Sequence, residues 1–181
     1  MLTPTARKTY APRGETPIQS CWARHGRISV ISAVTISPRQ QRPGFYFLLL
    51  PNNTGAKAAD TISFLRHLRG RLQGPLTICW DRGRIHDHSR EVRDWLSRQR
   101  KIVTERFPAY APELNPDEYA WSHTTYAKLC NYAAPSLEAM RVEVARELKE
   151  LQQNKPLLKS FVEHAKLTFG KMKQLYRCRN Q

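Results

Sequence analysis

Two acidic residues stand where a chain can present carboxylates to a ligand. Asp81 directly follows the apolar run Leu76-Thr77-Ile78-Cys79-Trp80, and Glu118 lies in Phe107-Pro108-Ala109-Tyr110-Ala111-Pro112-Glu113-Leu114-Asn115-Pro116-Asp117-Glu118-Tyr119-Ala120-Trp121. Carboxylate oxygens suit Mg²⁺ or Mn²⁺. Two such ions, about 3.5–4 Å apart, activate a water and stabilise the leaving 3′ oxygen in phosphodiester cleavage. Such a site takes several converging carboxylates, so a third is expected beside these two. Each acid also has a structural reading. An Asp after a strand commonly caps a helix or turns the chain, and Asn115-x-x-Glu118 has the spacing of a reciprocal capping box. The residues alone leave both readings open. Cys79, His86 and His88 do not make a zinc site, because no fourth ligand follows at a suitable spacing.

The elements that must position these acids follow from apolar periodicity and chain breakers. Alternation over 27–36 predicts a strand, and the continuous apolar run over 45–50 predicts a second one covered on both faces, paired antiparallel with the first. A helix is expected over 57–72, with Ala58, Ile62, Leu65, Leu68 and Leu72 on its apolar face, stopped by Gly74-Pro75. A short buried strand over 76–80 ends at Asp81. After a loop over 82–88, a helix over 89–99 turns Val92, Trp95 and Leu96 inward, and a brief strand covers 101–105. Three prolines then stiffen the arm that carries Glu118. Asn115 offers an N-cap, Pro116 suits the first helical position, and Asp117 and Glu118 fall in the first turn of a helix to about residue 132. Two further helices, over about 135–153 and 156–169, close the chain, with a basic tail behind them. Strands separated by helices imply parallel pairing, and in open α/β sheets the site lies beyond the strands' carboxyl ends, which is where Asp81 stands.

The chain has 181 residues and is 40% hydrophobic, enough for one globular unit with its own core rather than a disordered segment. Thirty Lys and Arg against fifteen Asp and Glu leave a net charge of +15, which attracts polyanions, nucleic acid first among them. The charge is spread over 1–44, 82–106 and 164–181, a distribution suited to following a phosphate backbone. No apolar run approaches the length of a membrane span, and no secretory core is present. Cys21, Cys79, Cys130 and Cys178 share no CxxC spacing, which points to a reducing compartment.

The 110–121 motif resembles the last acidic motif of mariner-like bacterial insertion-sequence transposases, members of the DDE endonuclease superfamily. Ile78-Cys79-Trp80-Asp81-Arg82-Gly83-Arg84-Ile85-His86 resembles the second motif, and Arg13-Gly14-Glu15-Thr16-Pro17 resembles the family's Gly-x-Thr-Pro segment. The likeness covers most of residues 8–130, and the 36 residues between Asp81 and Glu118 suit the family. The resemblance implies an α/β, RNase H-like mixed sheet flanked by helices. The catalytic domain would span 1–132, with C-terminal helices and a basic tail over 133–181 packed on it. Asp81 becomes the second catalytic, metal-binding carboxylate and Glu118 the third, with two Mg²⁺ or Mn²⁺ ions between them. Asp117 stands where the family commonly has an apolar residue and reads as a bystander. Arg82 replaces the family's usual Asn. Arg82, Arg84 and His86 are candidate DNA contacts, His86 being equally suited to bracing its loop.

The departure from the family lies at the front. Its first catalytic Asp precedes the Gly-x-Thr-Pro segment, yet nothing acidic precedes Glu15, and Asp60 falls in a helix. The expectation is therefore a C-terminal catalytic portion that lacks the first strand and its Asp. An upstream fragment would supply that Asp and the helix-turn-helix. Implied partners are transposon-end and target DNA and a second subunit, with no membrane, in the bacterial cytoplasm at the nucleoid. The leading expectation is a DNA transposase catalytic domain, for DNA cleavage and strand transfer, impaired as a lone chain. The alternative is a non-catalytic DNA-binding remnant or regulator that stacks bases on Trp80, Tyr110 or Trp121. A different RNase H-like nuclease is a third reading, disfavoured by the 110–121 motif.

Overall fold

The computed structural model describes residues 6–8, 10–15, 18, 26–37 and 42–167. Thr16 and Pro17, residues 38–41, the end of the last predicted helix and the basic tail lie outside the described residues. In order, the elements are β1 (Val30–Ser37), β2 (Arg42–Leu49), α1 (Ala58–Arg71), β3 (Leu76–Trp80), α2 (Arg90–Ser97), β4 (Ile102–Arg106), a 3-10 turn (Pro112–Leu114), α3 (Pro116–Ser122), a π-helical segment (His123–Lys128), α4 (Leu137–Gln153) and α5 (Lys155–His164).

The expected order of strands and helices is the observed one. β1 and β2 pair antiparallel, with Ile31 opposite Leu48 and Ala33 opposite Tyr46. β3 and β4 pair parallel, with Leu76 opposite Ile102 and Trp80 opposite Arg106, and α2 makes the crossover between them. Among the described residues these are two separate two-stranded ladders.

Because side chains alternate across a strand, the β1–β2 pair serves two cores. Val30, Val34, Phe45 and Phe47 face Ala120 of α3, Val144, Leu148 and Leu151 of α4, and Leu158 and Phe161 of α5. Ile31, Ala33, Tyr46 and Leu48 turn the other way, onto Phe64, Leu65 and Leu68 of α1, where Ile78 and Trp80 of β3 and Trp95 and Leu96 of α2 join them. β2 is thus covered on both faces, as its continuous apolar run requires. The apolar face of α1 is turned from the expected one. Thr61 and Phe64 are buried with Leu65 and Leu68, while Ile62 is only half-buried. The ring of Phe64 buries more apolar area than Ile62, and that decides the rotation of the helix.

The expected helix to residue 132 is shorter and of two kinds. α-Helical turns end at Ser122 and the backbone widens into the π segment. Thr124 Oγ1 bonds back to the Ala120 carbonyl at 2.9 Å, and the Leu129 N–H reaches the Thr124 carbonyl at 2.9 Å. The threonine takes over a carbonyl that an α-helix would use, which opens the wider turn. Asn131, at φ 56°, lies three residues beyond the segment. Its side-chain amide bonds both the N–H and the carbonyl of Arg7, so Arg7 is held at this end of the helix.

Candidate functional site

β3 delivers Asp81 at its carboxyl end, and the loop that follows is built around that carboxylate. Asp81 Oδ1 accepts from the Gly83 N–H at 2.8 Å and from His86 Nε2 at 2.6 Å. The same Nε2 lies 3.1 Å from the Asp81 carbonyl oxygen, so it faces two acceptors and must carry the proton. The imidazole packs on Trp80, ring centroids 5.0 Å apart. Gly83 makes this possible. A Cβ there would lie 2.4 Å from His86 Cε1 and 2.9 Å from Asp81 Oδ1. Oδ1 is therefore committed to the loop, and Oδ2 is left open on a side chain that is 67% exposed.

An ion pair between a buried carboxylate and an exposed guanidinium ties the loop to the sheet. Asp87 is buried and its Oδ1 accepts from Arg106 Nε, at the end of β4, at 2.7 Å. Burial pushes the Asp87 carboxyl up, but the Arg106 hydrogen bond and charge, with His88 and His86 nearby, outweigh it and hold the group below its ordinary value. Ser89 then caps α2 through the Val92 N–H.

The Phe107 N–H bonds the Trp80 carbonyl at 2.9 Å, so the arm toward Glu118 starts directly beside Asp81. Tyr110, between two prolines, is fully exposed and adopts φ 57°, a left-handed backbone that a bulky residue rarely takes. The 3-10 turn follows, and Tyr119 Oη donates back to the Glu113 carbonyl at 3.2 Å. Asn115 caps α3 by accepting the Asp117 N–H at 3.1 Å. Its own N–H is bonded to the Pro112 carbonyl at 3.0 Å. The capping-box reading of Glu118 is thereby overturned, since the donor that its carboxylate would reach back for is already taken. Among the described residues the exposed Glu118 carboxylate has no hydrogen-bond or ion-pair partner.

Asp81, Arg82, Phe107, Tyr110, Asn115 and Glu118 line one open groove of about 480 Å³. The structure thus brings Asp81, Glu118 and Arg82 together. Arg84 is exposed outside the groove lining, and His86 is turned onto Asp81. Of the aromatics considered for stacking, Trp80 and Trp121 are half-buried in contacts of their own, and Tyr110 is open. The donor set of the groove, carboxylate oxygens without protein cations bonded to them, has the chemistry of a hard divalent cation site. Among the described residues, no three His, Cys, Asp or Glu side chains converge in a way that could hold a metal ion. Glu15 is exposed in the Pro12–Glu15 turn, its N–H bonded to the Pro12 carbonyl and Gly14 at φ 91°.

Sequence reasoning missed the role of Asp117. Its Oδ2 accepts from Ser32 Oγ at 2.7 Å and from Trp121 Nε1 at 3.2 Å, and Trp121 Nε1 is also 2.9 Å from Ser32 Oγ. Its Oδ1 is buried and has no hydrogen-bond partner. Burial pushes the Asp117 carboxyl up to about 6, against the Ser32 and Trp121 hydrogen bonds that favour its charge; the neighbouring Glu118 adds to the rise. The i, i+4 spacing of Asp117 and Trp121 was visible, but the strand that supplies Ser32 lies 85 residues away. The Asp87–Arg106 pair, 19 residues apart, was missed for the same reason; Gly83 was missed although its partners Asp81 and His86 are close in the chain, because the folded loop alone brings them onto it.

The sequence model of the family described as "DDE superfamily endonuclease" matches residues 2–141. Solved structures of similar fold include the Mos1 mariner paired-end complex with Mn, at 21% identity and TM-score 0.59 over 91% of this chain and 48% of that one. The Mos1 transposase paired-end complex with left transposon end matches at 20% identity and TM-score 0.61, over 94% of this chain and 50% of that one. The catalytic domain of Mos1 mariner transposase matches at 20% identity and TM-score 0.51, over 77% and 76%. The chain spans about half the length of the Mos1 chains in the two complexes. No curated protein matches it. At these identities the likeness establishes the fold, which is RNase H-like.

Proposed function

The chain belongs to the DDE superfamily of endonucleases, and from that premise we propose that it is the catalytic portion of a DNA transposase, with Asp81 and Glu118 as its second and third carboxylates. One observation carries the reading. Both side chains open onto the same groove, and each keeps an oxygen that no protein donor among the described residues occupies. A phosphodiester fits such a groove only with its charge offset. A divalent cation, Mg²⁺ or Mn²⁺, supplies that offset and polarises the phosphoryl oxygens when bound. One Mos1 paired-end complex contains Mn and another the left transposon end, which supports the same cofactor class and a DNA partner here.

The chain's own residues have separable tasks. Asp81 Oδ2 and the Glu118 carboxylate hold the cation. His86 and the Gly83 N–H keep Asp81 from turning away. Arg82, on the groove, and Arg84, beside it, contact the phosphate backbone, and Tyr110 offers a face to an unstacked base. Among the described residues no helix is long and apolar enough to cross a membrane. As a DNA-acting protein it belongs, on this reading, in the bacterial cytoplasm. The catalytic unit over 1–132 is extended by a C-terminal segment over 133–181 that contains α4 and α5 and the basic tail, and a second copy and an upstream segment carrying a further Asp complete the active assembly.

With two carboxylates on the groove, the chain alone is a weak nuclease. A nicking assay on plasmid DNA with Mg²⁺ or Mn²⁺ tests this, with Asp81→Ala and Glu118→Ala as controls. Feeble cleavage, lost in both variants, is expected. Robust cleavage that neither substitution affects would remove both residues from the site. A second reading, a DNA-binding regulator without catalysis, is favoured by the lack of a third converging acid among the described residues. Salt-dependent DNA binding with no metal-dependent cleavage supports that alternative.

A further inference from the structure

We propose that Asp117 is the positioning residue for Glu118: its carboxylate locks the rotation of α3 against β1, and that rotation aims Glu118 into the groove. The inference rests on the reading of Glu118 as a cation ligand. Asp117 and Glu118 are consecutive in the first turn of α3, about 100° apart around the helix axis. When one faces β1, the other is turned to the side, and here that side is the groove. Ser32 Oγ, Trp121 Nε1 and Asp117 Oδ2 form a closed triangle with edges of 2.7, 2.9 and 3.2 Å, two corners on the helix and one on the strand. The buried Pro116 and Ala120 set how close α3 lies to the sheet, but two small apolar contacts near the axis resist rotation weakly. A hydrogen-bonded side chain reaching outward from that axis resists it far better.

The state of the other oxygen strengthens the case. Asp117 Oδ1 is buried without a donor, and an unsatisfied buried acceptor costs stability that an apolar side chain of similar size would not. Ser32 and Trp121 would still bond each other without it. Stability alone therefore does not explain a carboxylate at this position, whereas aiming the next residue does.

The test is a Mn²⁺ titration of the full chain, read by the electron paramagnetic resonance of free Mn²⁺, with thermal midpoints recorded alongside. Glu118→Gln should weaken binding most. Asp117→Leu should weaken it about tenfold, the scale typical of residues that orient a ligand, while leaving the thermal midpoint equal or higher. Asp117→Asn, which keeps an acceptor of the same shape toward Ser32 and Trp121, should stay within about twofold of wild type. Ser32→Ala removes the strand's corner without touching α3 and should weaken binding about threefold, which keeps the inference testable if Asp117→Leu fails to fold. Unchanged Mn²⁺ affinity in Asp117→Leu and Ser32→Ala, with Glu118→Gln impaired, would overturn the positioning role alone. Unchanged affinity in Glu118→Gln would overturn the ligand reading and this inference with it.

Discussion

The two carboxylates on the groove are held by unlike means. Asp81 sits on a loop, and its own carboxylate is part of the holding: Gly83 and His86 grip Oδ1, and the loop is pinned through Asp87 to Arg106. Glu118 sits on a helix and takes no part in its own support, which falls to Asn115, Asp117, Ser32 and Trp121. A loop has no repeating backbone bonds to fix a side chain, so it must spend one of the ligand's oxygens on orientation. A helix start fixes direction through the backbone and a neighbour, which leaves the whole carboxylate open. The loop side thus relies on an ion pair and the helix side on a buried acceptor triangle, and their responses to pH and substitution should differ in sign as well as size.

The largest difference should appear in stability between pH 4 and 6. Asp117 ionises near 3.8 when unfolded and at about 6 when folded, so the folded chain holds the extra proton in that window. Its contribution is fully present below pH 4 and is lost as pH rises toward 6, a change of up to ~3 kcal/mol. Denaturant melts across that range should show Asp117→Asn without this decline; parallel profiles for variant and wild type would contradict the buried-acceptor description.

Asp87 carries the opposite sign. Its folded value lies below 3.8, so its contribution is present above that pH and is lost as pH falls through the folded value. Arg106→Leu leaves a buried carboxylate without its cation and should cost about 2 kcal/mol at pH 7, less than a fully buried pair because Arg106 is itself exposed. The same variant should lose less stability than wild type on further acidification. A pH profile that Arg106→Leu leaves unchanged would show that the loop is held some other way.

The smallest effect is the most local. Gly83→Ala drives a methyl group into His86 Cε1 and Asp81 Oδ1. The histidine must give way, so Mn²⁺ affinity should fall about tenfold with little change in thermal midpoint. The matching change on the helix side, Asn115→Ala, should instead cost about 1 kcal/mol of stability through the lost cap. If both variants lowered metal affinity without touching stability, the distinction between loop and helix support would collapse.

What could be read in advance follows the range of the interactions. The apolar run of residues 76–80 ended a strand at Asp81, and Asn115-Pro116 started a helix at Glu118, because both signals lie within a few residues. The antiparallel and parallel pairings followed from the order of elements. The π segment did not, since a threonine bonding back to a carbonyl looks like any helical threonine until neighbouring turns have packed. Nor did the rotation of α1, where Phe64 competes with Ile62 for the same core. Asp117 looked expendable because its partner Ser32 sits on a strand far away in the chain. The capping alternative for Glu118 could be set aside only once the Asn115 N–H was seen on the Pro112 carbonyl.

That Asp81 and Glu118 serve a single cation is tested most directly by Mn²⁺ binding to four proteins: wild type, Asp81→Asn, Glu118→Gln and the double variant. If both side chains hold the same ion, each single substitution should abolish most of the binding, and the double variant should be little worse than either. Losses that simply add, or a single variant that binds as wild type does, would contradict a shared site.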